Sequence, residues 1–245
     1  MDTPLHTGPA AGRLCLRLAG IALAAVLLQG CLSAGRLVPD ALKEGAAPDP
    51  VFVDGARRAL PALYPAHARM THRAVLTVGS RQFALDGYVA KSGDSLRLVA
   101  RGAVGLVAEV KWTRADGPEV IRTGAFFRSR WSRDFMARDL ALLFASPAGE
   151  LAAGALADGS IVLRQNGPVA GGQLNYIFSQ NGDMLRGIRV RQPGRPDLEV
   201  ECVRYRSFEG YPRPVPSEFV VRSDNYMLHL SVVDLAVVTD TKDDR

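Results

Sequence analysis

The sequence is short of the residues that would staple it, span a membrane or do catalytic chemistry. Its three cysteines are Cys15, Cys31 and Cys202. Their spacing offers no disulfide framework and no Cys-x-x-Cys motif. Of the four histidines, His6 lies in the leader, and His67, His72 and His229 form no HExxH pair. There is no Gly-x-Ser-x-Gly elbow, and Gly102–Gly105 and Ala170–Gly172 lack the lysine and following helix of a phosphate loop. The carboxylates Asp86, Asp183 and Glu201 show no motif spacing. No catalytic residues, cofactor or metal site are therefore expected, and the chain is read as not an enzyme.

Lysine is also scarce. Of 30 basic residues only Lys43, Lys91, Lys111 and Lys242 are lysine, and no block of five or six like charges occurs despite a net charge of +5. The arginines are scattered through strand-like segments and read as solvated faces, so nucleic acid is not an expected partner.

The longest apolar run, Leu18 to Leu28, is too short for the roughly 20 residues of a transmembrane helix. What is present around it is an export signal: Arg13 and Arg17, then the run, then small residues. The junction Leu27-Leu-Gln-Gly-Cys31 resembles a bacterial lipobox, in which Leu28 and Gly30 guide processing at an obligatory Cys. The resemblance implies that residues 1–30 are a lipoprotein signal peptide and that Cys31 is lipidated. A thiol is nucleophilic enough to be thioether-linked to a diacylglyceryl group, and each buried methylene of the acyl chains adds about 0.8 kcal/mol to anchoring. Leu32 replaces the Asp that retains such proteins at the inner membrane, which favours an outer-membrane location with the body in the periplasm.

Removing residues 1–30 from 245 leaves 215, enough for one large β domain. Residues 31–52 are rich in Gly, Ala and Pro and read as a flexible tether, leaving 53–245 as the domain. A short helix is expected at Gly55–Leu60, capped by Asp54. Period-two alternation then sets in from Thr71, through Phe83, Leu85 and Val89, Leu96–Ala100 and Val104–Trp112. Gly79-Ser80, Ser92-Gly-Asp94 and Ala115-Asp-Gly117 mark turns. Arg128–Ala145 breaks the alternation with Trp131, Phe135, Met136, Leu140 and Leu143 at helical spacing. Strands resume at Ser160–Arg164, Leu174–Ser179, Met184–Arg191, Leu198–Tyr205, Glu218–Arg222 and Tyr226–Val233. Leu198, Val200 and Cys202 share one face, which makes Cys202 a buried thiol.

The expected fold is mainly β: a curved antiparallel sheet of about ten strands whose concave face is covered by helices. Such a face leaves room for an apolar cavity. Phe83, Leu85, Leu96, Leu98, Leu106, Val110, Trp131 and Phe135 are its candidate lining.

The stretch Leu96-Arg-Leu-Val-Ala-Arg-Gly-Ala-Val-Gly-Leu-Val-Ala-Glu-Val-Lys-Trp112, followed by Thr113-Arg-Ala-Asp-Gly117, resembles the strand–loop–strand of LolB-type lipoproteins in the LolA/LolB class of periplasmic carriers. The resemblance implies a half-barrel with a hydrophobic cavity for acyl chains, no metal and no covalent chemistry. In that family a Pro-Leu-Gly loop protrudes and helps deliver cargo to the membrane. Val104 and Gly105 match its apolar residue and its Gly, while Ala103 replaces the Pro. The expected function is an outer-membrane-anchored lipoprotein that binds acyl chains of a lipoprotein or lipid during envelope transport. Its partners would be the membrane, through its own acyl chains, and acylated cargo. The alternative is a structural lipoprotein that docks on an envelope protein partner, with Tyr205–Pro216 as the docking surface.

Overall fold

The structure is a computed structural model, and it describes residues 47–61, 63–103, 105–124, 137–147, 149–166 and 172–238. Cys31, Trp131, Phe135 and Val104 lie outside the described residues.

The first element, α1, spans Pro50–Ala59. It begins earlier than the expected Gly55 and is capped by Asp49, not Asp54: the Asp49 carboxylate accepts from Val51 N at 2.8 Å, with Pro50 in the first turn. An Asp-Pro pair suits this end, because the carboxylate satisfies an orphan N–H and proline has no N–H to orphan. Pro50 to Phe52, assigned above to the tether, are therefore helical. Asp54 sits inside the helix and pairs with Arg57 at 3.9 Å. Val53, Ala56 and the following Leu60 are buried.

Twelve strands follow, two more than expected. They are β1 (His67–Val78), β2 (Arg81–Ser92), β3 (Ser95–Gly102), β4 (Gly105–Thr113), β5 (Gly117–Thr123), β6 (Ala152–Ala155), β7 (Ile161–Asn166), β8 (Gln173–Phe178), β9 (Leu185–Arg191), β10 (Leu198–Arg206), β11 (Val215–Ser223) and β12 (Tyr226–Val237). All belong to one open antiparallel sheet in the order β5-β4-β3-β2-β1-β12-β11-β10-β9-β8-β7-β6. Two meanders, β1–β5 and β6–β12, are thus joined where β1 pairs with β12. The two additional strands are the outermost ones. β5 buries none of its residues and β6 only Ala155, so neither shows the alternation that marks a half-buried strand.

The second helix, α2 (Ala137–Phe144), lies in the connection from β5 to β6, the two opposite edges of the sheet. Its Ala141, Leu143 and Phe144 belong to the same apolar cluster as Val53, Ala56 and Leu60 of the first helix region and the inward residues of β1–β4 and β7–β12. The apolar face against which these residues pack is hereafter the inner face. The described α2 covers only the C-terminal part of the expected Arg128–Ala145 helix.

Bulges decide which side chains leave that face. Ile121 of β5, Val203 of β10 and Val233 of β12 are each the extra residue at a register shift, and all three are exposed. Where two residues oppose one, the pleat can present a large apolar side chain outward against the local alternation.

Candidate functional site

The inner face is the candidate site, and its residues come from strands whose alternation is read directly in the sequence. Leu96 and Leu98 on β3 stand opposite Trp112 and Val110 on β4, and Leu85 stands opposite Ala74 on β1. Leu85, Leu96, Leu98 and Val110 are buried in the cluster, and Phe83 is partly buried against it.

Leu106 departs from this set. The β3–β4 ladder slips between Ala100 and Arg101, so that Leu106 faces Arg101 while Val107 and Ala108 join the inner cluster. One bulged residue moves Leu106 to the outer face, where period two alone had placed it with Val110. Gly105, at φ 110°, is exposed beside it.

The centre of the inner face is an aromatic stack. Phe144 lies 5.3 Å from the ring of Tyr64, tilted, and 6.4 Å from Phe219, edge-on. The Tyr64 hydroxyl donates to the Pro216 carbonyl at 2.6 Å, and burial pushes its pKa well above the usual tyrosine value. Around this stack Leu60, Pro61, Leu63, Leu142–Ser146, Tyr176, Ile188 and Lys91 leave a cavity of about 10 Å³, room for roughly one water.

A polar rim closes one end. Lys91, only 5% exposed, donates to Ser146 Oγ at 3.2 Å, and burial lowers its pKa against the opposing pull of Asp94. Arg114 bridges Asp94 Oδ1 at 2.6 Å and the Ser146 carbonyl at 3.2 Å. That hydrogen bond holds the Asp94 carboxyl below its usual range. Three segments meet here: the β2–β3 turn, the β4–β5 turn and the residues after α2. At the other end of α2, the Tyr226 hydroxyl donates to the buried Asp139 Oδ2 at 3.0 Å.

Sequence reasoning singled out none of Tyr64, Phe144, Lys91, Arg114 or Asp139. Tyr64 stands in a Pro-flanked loop and Lys91 at a strand end, positions where residue type alone gives no burial signal.

The remaining candidates do not converge. His229 lies on the outer face, 2.9 Å from Glu218 Oε1. His67 Nδ1 is 3.4 Å from Ser92 Oγ. His72 is buried on the inner face beside Gly87, its Nδ1 without a hydrogen-bond partner, and burial lowers its pKa. A Cβ on Gly87 would come within 2.7 Å of that ring and 2.1 Å of the Val99 carbonyl, so glycine is what admits the imidazole. Asp86 pairs with Arg73 at 3.5 Å, Asp183 accepts from Ser179 Oγ at 2.5 Å, and Glu201 pairs with Arg222 at 3.0 Å. Cys202 is partly buried against the core, and burial raises its thiol pKa. Tyr205–Pro216 folds back onto the molecule: Phe208, Val215 and Pro216 are buried, and the Tyr205 hydroxyl donates to the Leu185 carbonyl at 2.9 Å.

No protein-family model matches the chain, and no curated protein matches it in sequence. Solved structures do. A LolA superfamily protein from Nitrosomonas europaea superposes with a TM-score of 0.53 at 9% identity, covering 79% of this chain and 96% of that one. A putative outer membrane lipoprotein-sorting protein domain from Vibrio parahaemolyticus gives 0.49 at 9% identity, over 78% and 93%. A DUF1329 family protein from Desulfovibrio piger gives 0.49 at 11%, over 80% and 96%. At these identities the likeness is one of architecture, and with its single open sheet and short helices the chain has a LolA/LolB-like fold.

Proposed function

We propose that this chain is an envelope lipoprotein, held at the outer membrane through Cys31, whose inner face takes up acyl chains of a lipoprotein or lipid. It is a binding protein in this reading and performs no covalent chemistry. The observation that carries the proposal is the nature of the cover. Among the described residues, side chains of α1 and α2 pack against the apolar face of the twelve-stranded sheet, and no second sheet does. Such a cover is held by side-chain contacts and by the Tyr226, Lys91 and Arg114 hydrogen bonds. It can shift by giving up these few contacts, without breaking a strand ladder.

The shape of the face supports the same reading. Lys91 on β2 and Tyr176 on β8 line one small cavity although their strands stand six positions apart in the sheet. In a flat sheet that separation is about 29 Å. We infer that the sheet curls around the helices, making the inner face concave. The LolA superfamily structure shares this fold.

A second reading, a structural or partner-docking lipoprotein, is favoured by the aromatic stack that leaves only about 10 Å³ beside it. Native mass spectrometry of the full chain, before and after mild delipidation and with added palmitate, separates the two. A removable mass of acyl-chain size supports a carrier. A clean protein mass that takes up no palmitate moves the assignment to docking.

A further inference from the structure

The outer face carries a half-open pocket, on the opposite side of the sheet from the apolar cluster. Tyr88, Val99, Glu109 and Arg122 lie in one register row across β2, β3, β4 and β5. Arg97 stands two residues to one side of Val99 and Arg101 two residues to the other, so all three arginines share that face. Together with Gly105 and Leu106 these residues line a half-open pocket of about 490 Å³ at the sheet edge. That volume is within the range of small-molecule sites.

The charges inside do not balance. Glu109, whose side chain is 8% exposed, receives Arg97 Nε at 2.9 Å and stands 3.7 Å from Arg122 Nε. It is the only carboxylate among the lining residues against three guanidinium groups, leaving a net charge of +2. Asp86, opposite Arg101 on β2, is engaged by Arg73 at 3.5 Å, and Lys111 stands opposite Glu119 on β5. Arg101 therefore has no carboxylate partner among the described residues, and Arg122 has only the long contact to Glu109. Guanidinium groups left unpaired around a concave floor fit a phosphate, which accepts paired N–H donors from several of them. Tyr88 adds a phenol at the wall.

The geometry points to a site for the phosphate of an anionic lipid headgroup, gripped by Arg101 and Arg122 with Arg97 held in place by Glu109. The lipid source is favoured by position: Gly105 and Leu106 bring the β3–β4 connection to the pocket's rim, so an apolar side chain lies beside the cationic floor, where the acyl chains would follow a bound headgroup. This site does not depend on what the inner face holds, so its failure leaves the carrier reading standing.

The test uses the full chain with vesicles of phosphatidylglycerol and of phosphatidylcholine. An acyl anchor enters both alike, so the ratio of binding to the two reads the headgroup alone. Arg101→Gln and Arg122→Gln, both at exposed positions, should each lower the phosphatidylglycerol preference about fivefold. The charge-matched pair Arg58→Gln and Arg213→Gln, elsewhere on the surface, should leave it nearly unchanged. Equal preference in the parent and the Arg101/Arg122 double variant overturns the site. Titration with inorganic phosphate distinguishes the source: saturable binding lost in the double variant, without any vesicle preference, overturns the lipid assignment in favour of a free phosphate.

Discussion

Replacing Phe144 with Ala tests how the inner face is filled. The ring is 1% exposed and touches Tyr64 and Phe219 at centroid distances of 5.3 and 6.4 Å. Loss of a buried Phe costs about 3–5 kcal/mol, the low end where neighbours collapse into the space and the high end where they do not. At ~24 cal/mol per Å³ that spread of ~2 kcal/mol corresponds to roughly 80 Å³ of surviving cavity. Here collapse is opposed from two sides. Tyr64 is fixed by its hydrogen bond to the Pro216 carbonyl, and Phe219 by its ladder with Cys202 and Leu230. We therefore expect a loss near 4–5 kcal/mol by urea unfolding, read as a lower midpoint at unchanged m. The variant should also take up xenon where the parent does not, because an apolar space of that size lined by Tyr64, Phe219 and Leu143 stays dry. A loss below ~1.5 kcal/mol with no gain in xenon binding would refute the argument that this ring closes the cavity.

Other outcomes follow from single contacts. Tyr64→Phe removes the hydroxyl bonded to Pro216 and leaves a buried carbonyl unpaired, for a loss of about 1–3 kcal/mol in the same urea assay. Gly182→Ala should cost more than Gly210→Ala. Both glycines have positive φ, near 70° and 74°, which alone costs about 1–2 kcal/mol, but only at Gly182 would the new Cβ sit 2.1 Å from the Phe52 carbonyl of α1. Melting temperatures of the two variants check the order. Burial lowers the His72 pKa below its ordinary value of 6.5, so the unfolded chain binds the proton more readily. Stability is then full above pH 6.5 and falls as the pH drops towards the folded pKa, and His72→Gln should flatten that acid limb in urea titrations at successive pH values.

How far the sequence could be read depended on whether a residue's position was set by its own strand or by its neighbours. Alternation along β2 and β3 assigned Leu85, Leu96 and Leu98 to the inner face because period two is a property of one strand. The same rule misplaced Leu106, since the bulge after Ala100 is a property of the pair β3–β4 and leaves no mark in either strand's pattern. β5 escaped notice for a related reason. An outermost strand with one neighbour and no buried residue has nothing to alternate against. Two aspartates compete as the cap of the first helix, and Asp49 wins over Asp54 because Asp49-Pro50 carries both the acceptor and the N1 proline.

The arginines make the same point in charge. Along the chain they are spread too thinly to form a block, and as isolated residues they read as ordinary solvated positions. Sheet registry changes their meaning. Arg97 and Arg101 project from the same face of β3, and β5, the strand hardest to see in sequence, lays Arg122 opposite Glu109. A strand pair brings residues within about 5 Å whatever their separation in the chain, so a cationic pocket can be assembled from a sequence without a cationic motif. The apolar inner face, by contrast, is written into the alternation of β1, β2 and β3, strand by strand. The two faces therefore differ in how mutations act on them. Single substitutions on the inner face disturb packing wherever they fall. On the outer face, a change in the β3–β4 bulge alone would dismantle the pocket by turning Leu106 inward and shifting β4 against Arg101.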